Sequence, residues 1–377
     1  MTDRSDDEAL ILDQIERFAA EKLAPRAAAL DETATFATCH LPAMAGLGLM
    51  GLNLPEEEGG LGLSGPALYR AVELVAGACG STASMLTAHY LATDSLHLGA
   101  DPALRARFLP RAAAGALGAF ALTEPQAGSN PADMRTTARR EGASYRLRGA
   151  KCFISNAGAA EFMVVYAKTD PEAGARGVSA FVVEPGLTEG ITVAPAERTM
   201  GLRGGHVFGV TFDDCLVPEE NRIGPEGTGF RTAMKVLDNG RIEVAAQATG
   251  IAAAALDAAV AYAKERRVGG LPIAEFQGLQ WMLADSANDL AAARALGLAA
   301  ARLRGTGARY STESAHAKLF ASEAAWRIAD RALQIHGGYG YCRDFPLERY
   351  LRDLRIFRIY EGSSEIQRTI IARGLLA

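Results

Sequence analysis

A glutamate between aromatic and glycine residues is the side chain best suited to catalysis in this sequence. Glu361 stands in Ile359-Tyr-Glu-Gly-Ser-Ser-Glu-Ile-Gln, where burial would raise the pKa of its carboxyl toward that of a general base. The serines and free amides after it would form a helix N-terminus suited to polar or anionic groups. The alternative is structural: Glu361 interacts with the helix dipole, and Ser364-Glu-Ile-Gln is a capping box.

A loop near residue 125 carries groups that could bind a cofactor. The segment Phe120-Ala-Leu-Thr-Glu-Pro-Gln-Ala-Gly-Ser-Asn supplies the hydroxyls of Thr123 and Ser129 and the backbone amides around Gly128. Such a loop can hydrogen-bond a polar ring edge and a phosphate without net charge. An ordinary turn between two domains is the alternative.

Two further segments could contact a flat ligand. In Lys151-Cys-Phe-Ile-Ser-Asn, strand alternation places Phe153 and Ser155 on one face, where they could pack on and hydrogen-bond a cofactor. The segment Gln334-Ile-His-Gly-Gly-Tyr-Gly-Tyr ends a helix, and its glycines permit close approach of the backbone to a ligand. A plain sheet face and a helix C-cap are the alternatives.

The elements that must position these residues follow a helical, β, helical order. Apolar spacing predicts a helical domain over residues 1–117, short strands over 118–226, and long helices over 227–377. Strand runs without intervening helices predict an antiparallel barrel or sandwich in the middle, so the fold class is α+β, mainly α. The predicted C-terminal helices are Gly227 to Arg267, Ile273 to Leu303, Ser311 to Ile335, Pro346 to Asp353, and Ser364 to the C-terminus.

The composition excludes several other classes of protein. Hydrophobic residues form 49% of the 377 residues, which excludes a disordered chain, and the net charge of -5 gives no basic field for nucleic acid. Five dispersed cysteines and six scattered histidines predict neither a disulfide framework nor a metal site. No unbroken apolar run approaches the roughly 18 residues of a membrane span, and the acidic N-terminus lacks the order of a signal peptide. We therefore expect a cytoplasmic protein that binds no membrane.

The order of these motifs along essentially the whole chain resembles the acyl-CoA dehydrogenase family. The resemblance implies an N-terminal helical domain, a middle β-barrel domain, a C-terminal four-helix bundle, and bound FAD. The residues that carry it are Leu122-Thr-Glu-Pro, Gly128-Ser, Phe153-Ile-Ser-Asn, Met200-Gly-Leu-Arg, Phe212-Asp-Asp-Cys-Leu-Val-Pro, Asn221-Arg-Ile-Gly, Gly240-Arg, Tyr262-Ala-Lys-Glu-Arg-Arg, Pro272-Ile-Ala-Glu-Phe-Gln, Gln334 to Tyr341, and Ile359-Tyr-Glu-Gly.

By this resemblance, two subunits share each FAD site. Its implied cofactor-binding residues are Leu122, Thr123, Gly128, Ser129, Phe153, Ser155, Gln277, Gly337, Ser363 and Glu365, with Arg266, Gln334 and Gly338 supplied by the neighbouring subunit. The implied substrate-binding residues are Ser129, Asp238, Arg241 and Gly362, and the implied catalytic base is Glu361.

The reaction that the resemblance implies is α,β-dehydrogenation of an acyl thioester. Glu361 would remove the α-proton while a β-hydride passes to N5 of FAD, leaving the trans-2-enoyl thioester. Some branches carry the base on the helix after the β domain, but Gly240 stands at that position and has no side chain. The implied partners are an acyl-CoA or a carrier-protein-bound acyl group, an electron-transferring flavoprotein, and further subunits in a homotetramer made of two dimers.

Two other functions compete with this one on the same fold. The first is an oxygen-using flavoenzyme, an acyl-CoA oxidase or an N-hydroxylase, and Glu361 argues against only the hydroxylase. The second is a non-catalytic binding protein, against which the intact base, flavin loop and glycine motif argue together.

Three departures from the family pattern affect the cofactor and the substrate. Arg266-Arg-Val-Gly-Gly lacks the usual phenylalanine at Gly269, which predicts weaker FAD affinity or dimer packing. Gly204-Gly-His-Val replaces a hydroxyl-rich segment that helps to hold the CoA arm, and Asn130 replaces a common aspartate. A carrier-protein-tethered acyl group would explain the second and third departures.

Overall fold

The N-terminal part of the chain is helical. A computed structural model describes residues 3–376, with side chains from Asp6 onward. One turn of π-helix, Ala19–Leu23, separates the first two helices of this part, which follow each other directly along the chain. The helices here are α1 (Asp3–Phe18), α2 (Ala24–Thr33), α3 (Leu41–Gly46), α4 (Gly65–Ala78), α5 (Gly80–Gly99) and α6 (Pro102–Ala113).

The middle part forms an eight-stranded sheet. Its strands are β1 (Gly118–Ala121), β2 (Thr137–Glu141), β3 (Ser144–Ser155), β4 (Phe162–Lys168), β5 (Val178–Val183), β6 (Ile191–Val193), β7 (Val207–Pro218) and β8 (Arg222–Ile223). The order across the sheet is β6-β7-β3-β2-β4-β5-β8, with β1 beside β4. Most neighbours are antiparallel as predicted, but β4 runs parallel to both β1 and β2. The predicted antiparallel pairing thus holds for most strands but not for β4 with β1 and β2, because the β2–β3 hairpin returns the chain to β4 in the direction of β1.

Long helices follow the sheet. A short hairpin, β9 (Arg267–Val268) and β10 (Leu271–Pro272), separates the first two of them. The helices are α7 (Gly229–Glu265), α8 (Gln277–Ala301), α9 (Ser311–His336), α10 (Gly338–Tyr341), α11 (Leu347–Leu354) and α12 (Ser364–Leu376). Helix α9 packs against α7, α8 and α12, and α7 packs against α8, which forms the expected four-helix arrangement.

Helix α7 is the central element of the molecule. It is long and apolar enough to span a membrane by length and composition, although the sequence contains no unbroken apolar run of that size. Within residues 3–376, however, it packs against α4, α5, α8 and α9, so it is a core helix. Its contact with α4 is very close, because a Cβ added at Gly250 would lie 2.2 Å from the backbone oxygen of Glu73.

Three apolar cores hold these parts together. The largest joins the N-terminal and C-terminal helices, the second joins α5, α6 and the start of α7 to one face of the sheet, and the third lies within the β part. The proposed domain boundaries at 117/118 and 226/227 fall in the connections between α6 and β1 and between β8 and α7. We keep these boundaries as a proposal.

Candidate active site

The loop before α12 holds Glu361 in a strained backbone conformation. Glu361 has φ +55° and Gly362 has φ +85°, in a region that non-glycine residues rarely adopt. Gln367 secures the turn, because its Nε2 donates to the backbone oxygens of Glu361 at 3.1 Å and Gly362 at 2.8 Å. Lys318 Nζ donates to the same Gly362 oxygen at 2.7 Å. The surrounding helices therefore fix the direction of the Glu361 side chain.

The Glu361 carboxylate points at Gly240 on α7. A Cβ built on Gly240 would lie 3.0 Å from Glu361 Oε2, and this oxygen is buried without a hydrogen-bond partner among the described residues. Burial raises the pKa of Glu361 to about 7, although the charges of Arg241 and Lys318 act to lower it. A desolvated carboxylate with an unoccupied oxygen is suited to accept a proton from carbon.

The start of α12 differs from the predicted capping box. The Ile366 amide donates to Ser363 Oγ at 3.4 Å, so Ser363 caps the helix. Ser364 donates instead to Glu323 on α9 at 2.8 Å. The prediction that Ser364 caps is wrong, because a carboxylate from another helix takes its hydroxyl. The Ser363 hydroxyl also lowers the pKa of the exposed Glu365 carboxyl through a hydrogen bond.

Two of the predicted substrate-binding residues form a buried ion pair next to Glu361. Arg241 bonds to Asp238 one turn earlier on α7, and Ser311 Oγ donates to Asp238 at 2.5 Å. Burial raises the pKa of Asp238. The Nε of Arg241 is buried without an acceptor among the described residues. The structure thus places Asp238, Arg241 and Gly362 close to Glu361; their role in substrate binding stays a prediction.

A buried ion pair joins two of the predicted cofactor-binding segments. Lys151 Nζ donates to Glu124 at 2.8 Å and to the Leu122 oxygen at 3.0 Å. Burial acts to raise the pKa of Glu124, but the Lys151 charge and the Arg135 amide lower it to about 2. The Cys152 amide donates to the Thr123 oxygen at 3.0 Å. The loop after β1 is therefore fastened to β3.

The face formed by these segments presents an exposed aromatic ring. A bulge between Lys151 and Ile154 turns Phe153 outward with φ +56°, and Phe153 is 65% exposed. Ser155 lies two residues after Phe153 on β3 and is half-buried. Thr123 is also half-buried, and its backbone oxygen binds the Cys152 amide next to Phe153, whereas the Leu122 side chain lies in the second core. Gly128 and Ser129 are exposed in the same loop. An accessible aromatic ring on a surface that also carries hydroxyl groups fits a planar, polar-edged cofactor such as a flavin.

The remaining predicted cofactor residues lie at the far end of α7. A pocket of about 630 Å³ is lined there by Arg266, Gly337 and Gly338, with Phe276 and Tyr339 contributing aromatic rings. Gln277 and Gln334 are exposed at the nearby ends of α8 and α9. Cβ atoms built on Gly337 and Gly338 would meet no atom within 4 Å, so the backbone is open to a ligand.

This pocket is remote from Glu361 in the same chain. Gly240 contacts Glu361, and Arg266 directly follows the end of α7. At 1.5 Å per residue, the two positions are about 39 Å apart along the helix, which exceeds the length of an extended FAD molecule. Gly269 and Gly270 form the turn of the β9–β10 hairpin with φ +59° and +84°. The departure at Gly269 therefore lies at a hairpin tip, and Phe276 provides an aromatic side chain in the pocket itself.

The sequence did not indicate several residues that organise the site. Lys318 and Gln367 hold the Glu361 turn, and the Lys151–Glu124 pair fastens the loop after β1. A lysine within the apolar run Ala315-His-Ala-Lys-Leu-Phe-Ala was the available signal for Lys318, because a lysine on a buried helix face needs a partner. Among the described residues, no group of three His, Cys, Asp or Glu side chains could hold a metal ion.

Comparisons with family models cover nearly the whole chain. The models described as the acyl-CoA dehydrogenase N-terminal, middle and C-terminal domains match residues 5–116, 119–215 and 227–376. Among curated relatives, the chain is 44% identical to an acryloyl-CoA reductase (NADH) of Anaerotignum propionicum, covering 96% of this chain and 92% of that protein. It is 40% identical to a short-chain specific acyl-CoA dehydrogenase of Clostridium acetobutylicum, covering 96% of both.

Solved structures show the same likeness. The butyryl-CoA dehydrogenase of Megasphaera elsdenii matches with a TM-score of 0.96 and 37% identity, over 100% of this chain and 99% of that one. A structure described as the electron transferring flavoprotein of Acidaminococcus fermentans matches with a TM-score of 0.96 and 41% identity, over 98% of both chains. A prolyl acyl carrier protein oxidase matches with a TM-score of 0.94 and 28% identity, over 98% of both chains.

Proposed function

The chain belongs to the acyl-CoA dehydrogenase family, and we propose that it removes the α-proton of a short acyl thioester with Glu361. As a member of this family it is an FAD-dependent oxidoreductase that acts on CH–CH groups. The environment of the Glu361 carboxylate supports this proposal most directly. The carboxylate is buried and faces Gly240, and its Oε2 has no hydrogen-bond partner among the described residues.

The base acts through its burial and its fixed direction. An α-proton of a thioester is weakly acidic, so the accepting carboxylate must be close and poorly solvated. Burial raises the pKa of Glu361 to about 7, which makes the carboxylate a stronger base than one in water and leaves it substantially ionised near neutral pH. The backbone N–H of Glu361 would hydrogen-bond the thioester oxygen as enolate charge develops, as the family resemblance implies.

The proposed FAD site consists of the face around Phe153 and a pocket from a second subunit. Thr123 and Ser155 would hydrogen-bond the ring edge, Phe153 would pack beside the ring, and Ser129 would bind the diphosphate. When bound, FAD accepts the β-hydrogen of the substrate as a hydride equivalent. The remaining proposed cofactor-binding residues are Leu122, Gly128, Gln277, Gly337, Ser363 and Glu365, with Arg266, Gln334 and Gly338 from the partner.

The distance between Glu361 and the Arg266 pocket supports a shared site. Within one chain, Gly240 and Arg266 lie too far apart along α7 to reach the same FAD molecule, whereas a second subunit related by a two-fold axis would bring its own Arg266 pocket to the first subunit's site. Alanines on α7 are mostly buried within the protomer, but α8 exposes a row of small side chains beside Trp281, which is 62% exposed. Such a row permits close helix packing and supports the proposed homotetramer of two dimers. Its exposed members are Ala284, Ala287, Ala291, Ala295 and Ala299.

A hydrogen bond between α5 and α7 supports the proposal that the substrate has a short acyl chain. Gln247 Nε2 donates to Thr87 Oγ1 at 3.0 Å, and both residues are buried. Gln247 lies two turns beyond Gly240, about 10 Å along the helix. An acyl chain that starts at Glu361 and runs between α5 and α7 would therefore meet this pair after a few carbons. The short-chain specificity of the Clostridium acetobutylicum relative agrees with this proposal.

The thioester carrier, the electron acceptor and the cellular location are further proposals. The structures described above as a carrier protein oxidase and as an electron transferring flavoprotein support an acyl carrier protein and an electron-transferring flavoprotein as partners. The acryloyl-CoA reductase relative supports reaction in the reverse direction as a second candidate activity. A cytoplasmic location stays a prediction.

The test uses FAD-loaded protein with acyl-CoA and carrier-bound acyl groups of increasing length. We expect bleaching of the flavin absorbance under nitrogen with short acyl-CoA and turnover with a dye acceptor. Rapid reoxidation by air with hydrogen peroxide release would support an oxidase instead. Oxidation of NADH with acryloyl-CoA would support the reductase, and a flavin that no thioester bleaches would support the non-catalytic binding protein.

A further inference from the structure

A completely buried lysine lies directly behind the Glu361 loop. Lys318, seven residues into α9, has no exposed surface, and its Nζ donates to the Gly362 backbone oxygen at 2.7 Å. Among the described residues Lys318 forms no ion pair, and Glu323, an acidic side chain on the same helix, pairs with Arg358 instead. Its hydrogen-bond acceptor is therefore a carbonyl dipole in the loop that carries the base.

Such a placement is costly for the folded protein. An ammonium group transferred from water to a protein interior loses several kcal/mol unless other groups replace its hydration. Burial accordingly lowers the pKa of Lys318 to about 8, while the charge of Glu361 acts to raise it. The positive charge of Lys318 is therefore stabilised by the ionised Glu361 carboxylate, and that carboxylate is stabilised by Lys318 in turn.

We propose that Lys318 is the positioning residue for the base. Its ammonium holds the left-handed turn at Glu361 and Gly362, and its positive charge keeps the nearby carboxylate ionised and ready to accept a proton. This inference rests on the proposed role of Glu361. It adds a residue on another helix that sets both the direction and the protonation state of the base.

Lys318 shares its electrostatic effect on Glu361 with one other cation. The charge of Arg241 lowers the pKa of Glu361 more than that of Lys318 does, but its guanidinium is paired with Asp238 and does not bind the Glu361 turn. Glu243 on α7 and Glu323 on α9 are acidic, so they oppose ionisation of the base or attract Lys318. The titratable groups around the base are Arg241 and Glu243 from α7, Lys318 and Glu323 from α9, and Tyr360 and Glu365 from its own segment.

Two substitutions separate the charge from the hydrogen bond. Lys318→Gln removes the charge and keeps an N–H donor near Gly362, whereas Gln367→Met removes the donors of the neighbouring amide and keeps the charge. The measurement is kcat/KM with butyryl-CoA from pH 5 to pH 10 on FAD-loaded protein. We expect Lys318→Gln to move the acidic limb upward by about one pH unit, with roughly tenfold lower activity at pH 6 and recovery at pH 9. Gln367→Met should lower activity without moving the limb.

A second measurement does not depend on turnover. The infrared carboxylate band that Glu361→Gln removes is titrated in substrate-free protein, and its midpoint should rise by the same amount in Lys318→Gln. Lys318→Arg, which keeps the charge, should restore the parental midpoint. An unchanged midpoint in Lys318→Gln overturns the proposal, as does a shift of equal size in Gln367→Met.

The outcomes for Lys318 and Glu361 are distinguishable. If Glu361→Gln retains near-parental turnover, the assignment of the base fails whatever Lys318 does. If Glu361→Gln is inactive and the Lys318→Gln limb stays in place, the base is correct and the role of Lys318 is not. Should Lys318→Gln fail to fold, Lys318→Arg decides: an altered midpoint in a variant that keeps the charge contradicts the proposal.

Discussion

The Glu361 carboxylate occupies the space that a side chain on Gly240 would need: a Cβ at Gly240 would lie 3.0 Å from Glu361 Oε2. It would also lie 2.8 Å from Leu91 Cδ2 on α5. Glycine at this point of α7 is therefore what allows the Glu361 carboxylate to enter from the loop before α12. The helix and the loop cannot both supply a carboxylate here without rearrangement.

We predict that Gly240→Ala separates stability from activity. The alanine methyl group would displace the Glu361 carboxylate by a few tenths of an ångström, which should lower kcat/KM about tenfold. Alanine is favoured over glycine in a helix by up to about 1 kcal/mol, but its methyl group would also crowd Leu91 Cδ2 and the Glu361 carboxylate, so these effects oppose each other and the thermal midpoint should change little. Gly46→Ala, at an exposed position on α3, is the matched control and should leave activity unchanged. Parental activity in Gly240→Ala would contradict the contact.

Glu361→Gln should keep bound FAD and lose nearly all turnover. The amide has almost the same shape but cannot accept the α-proton, so the rate should fall at least a thousandfold, or roughly 4 kcal/mol of transition-state stabilisation. Flavin absorbance confirms the folded holoenzyme, and bleaching by butyryl-CoA under nitrogen reports the chemical step. Glu313→Gln, exposed in the first turn of α9, serves as the control. Rapid bleaching in Glu361→Gln would exclude Glu361 as the base.

Stability should depend on pH through Glu361. Its pKa rises from the ordinary value of 4.5 to about 7 in the folded protein. Between these values the folded state binds the proton more tightly than the unfolded chain, so stability falls as the pH rises from about 4.5 to about 7. The loss is at most about 3 kcal/mol, at 1.36 kcal/mol per pKa unit.

Glu361→Gln tests this dependence, because it removes the titrating group. The thermal midpoint of the variant minus that of the parent should increase between pH 4.5 and pH 8. A difference that stays constant over this range would show that burial does not raise the pKa of Glu361.

Arg266→Ala should weaken FAD retention rather than the chemical step. A guanidinium facing a diphosphate contributes mainly to cofactor binding, so the dissociation constant for FAD should rise at least tenfold and excess FAD should restore activity. Arg267→Ala is the matched control, since Arg267 is exposed and its Nη1 donates to Gly270 within the hairpin. Equal FAD affinity in the two variants would place the diphosphate elsewhere.

Gln247→Ala should extend the range of accepted acyl chains. Removing the amide opens the space behind the Gln247–Thr87 hydrogen bond, so the preferred chain length should increase by about two carbons while activity with butyryl-CoA falls. Thr249→Ala, at a buried position of α7 that contacts Tyr69 on α4, is the control for helix stability and should keep the parental preference. An unchanged preference in Gln247→Ala would separate this pair from the acyl pocket.

The sequence predicted the long helices well and the sheet only in part. The ends of α7 and α9 agree with the predicted bounds to within two residues, because their apolar periodicity extends over many turns. Local composition indicates strands between Tyr145 and Asp214 but does not mark β1, β2 and β8. Strands β1 and β8 are held by pairing with distant strands, and β2 by its hairpin with β3, rather than by their own composition. The parallel pairing of β4 with β1 and β2 likewise depends on contacts between separate parts of the chain, which local composition does not indicate.

At the candidate site, the sequence motifs indicate the residues that we propose to contact ligands but not the residues that support them. Glu361 and the FAD-loop residues stand in recognisable segments. The partner that takes the Ser364 hydroxyl, the lysine behind Gly362 and the glycine that accommodates Glu361 all come from other helices. Such contacts depend on how the helices pack, which local sequence does not specify.

Glu361 faces Gly240 on α7, about 39 Å along the helix from Arg266. This distance has a consequence for dimers that contain two different mutant subunits. In a two-fold dimer with shared sites, each protomer's base would work on an FAD molecule held by the other protomer's arginine. A dimer that combines one Glu361→Gln subunit with one Arg266→Ala subunit would contain one doubly defective site and one intact site. Two alleles that are each deficient alone would then complement in mixed assemblies, whereas two defects on the same chain would leave both sites impaired.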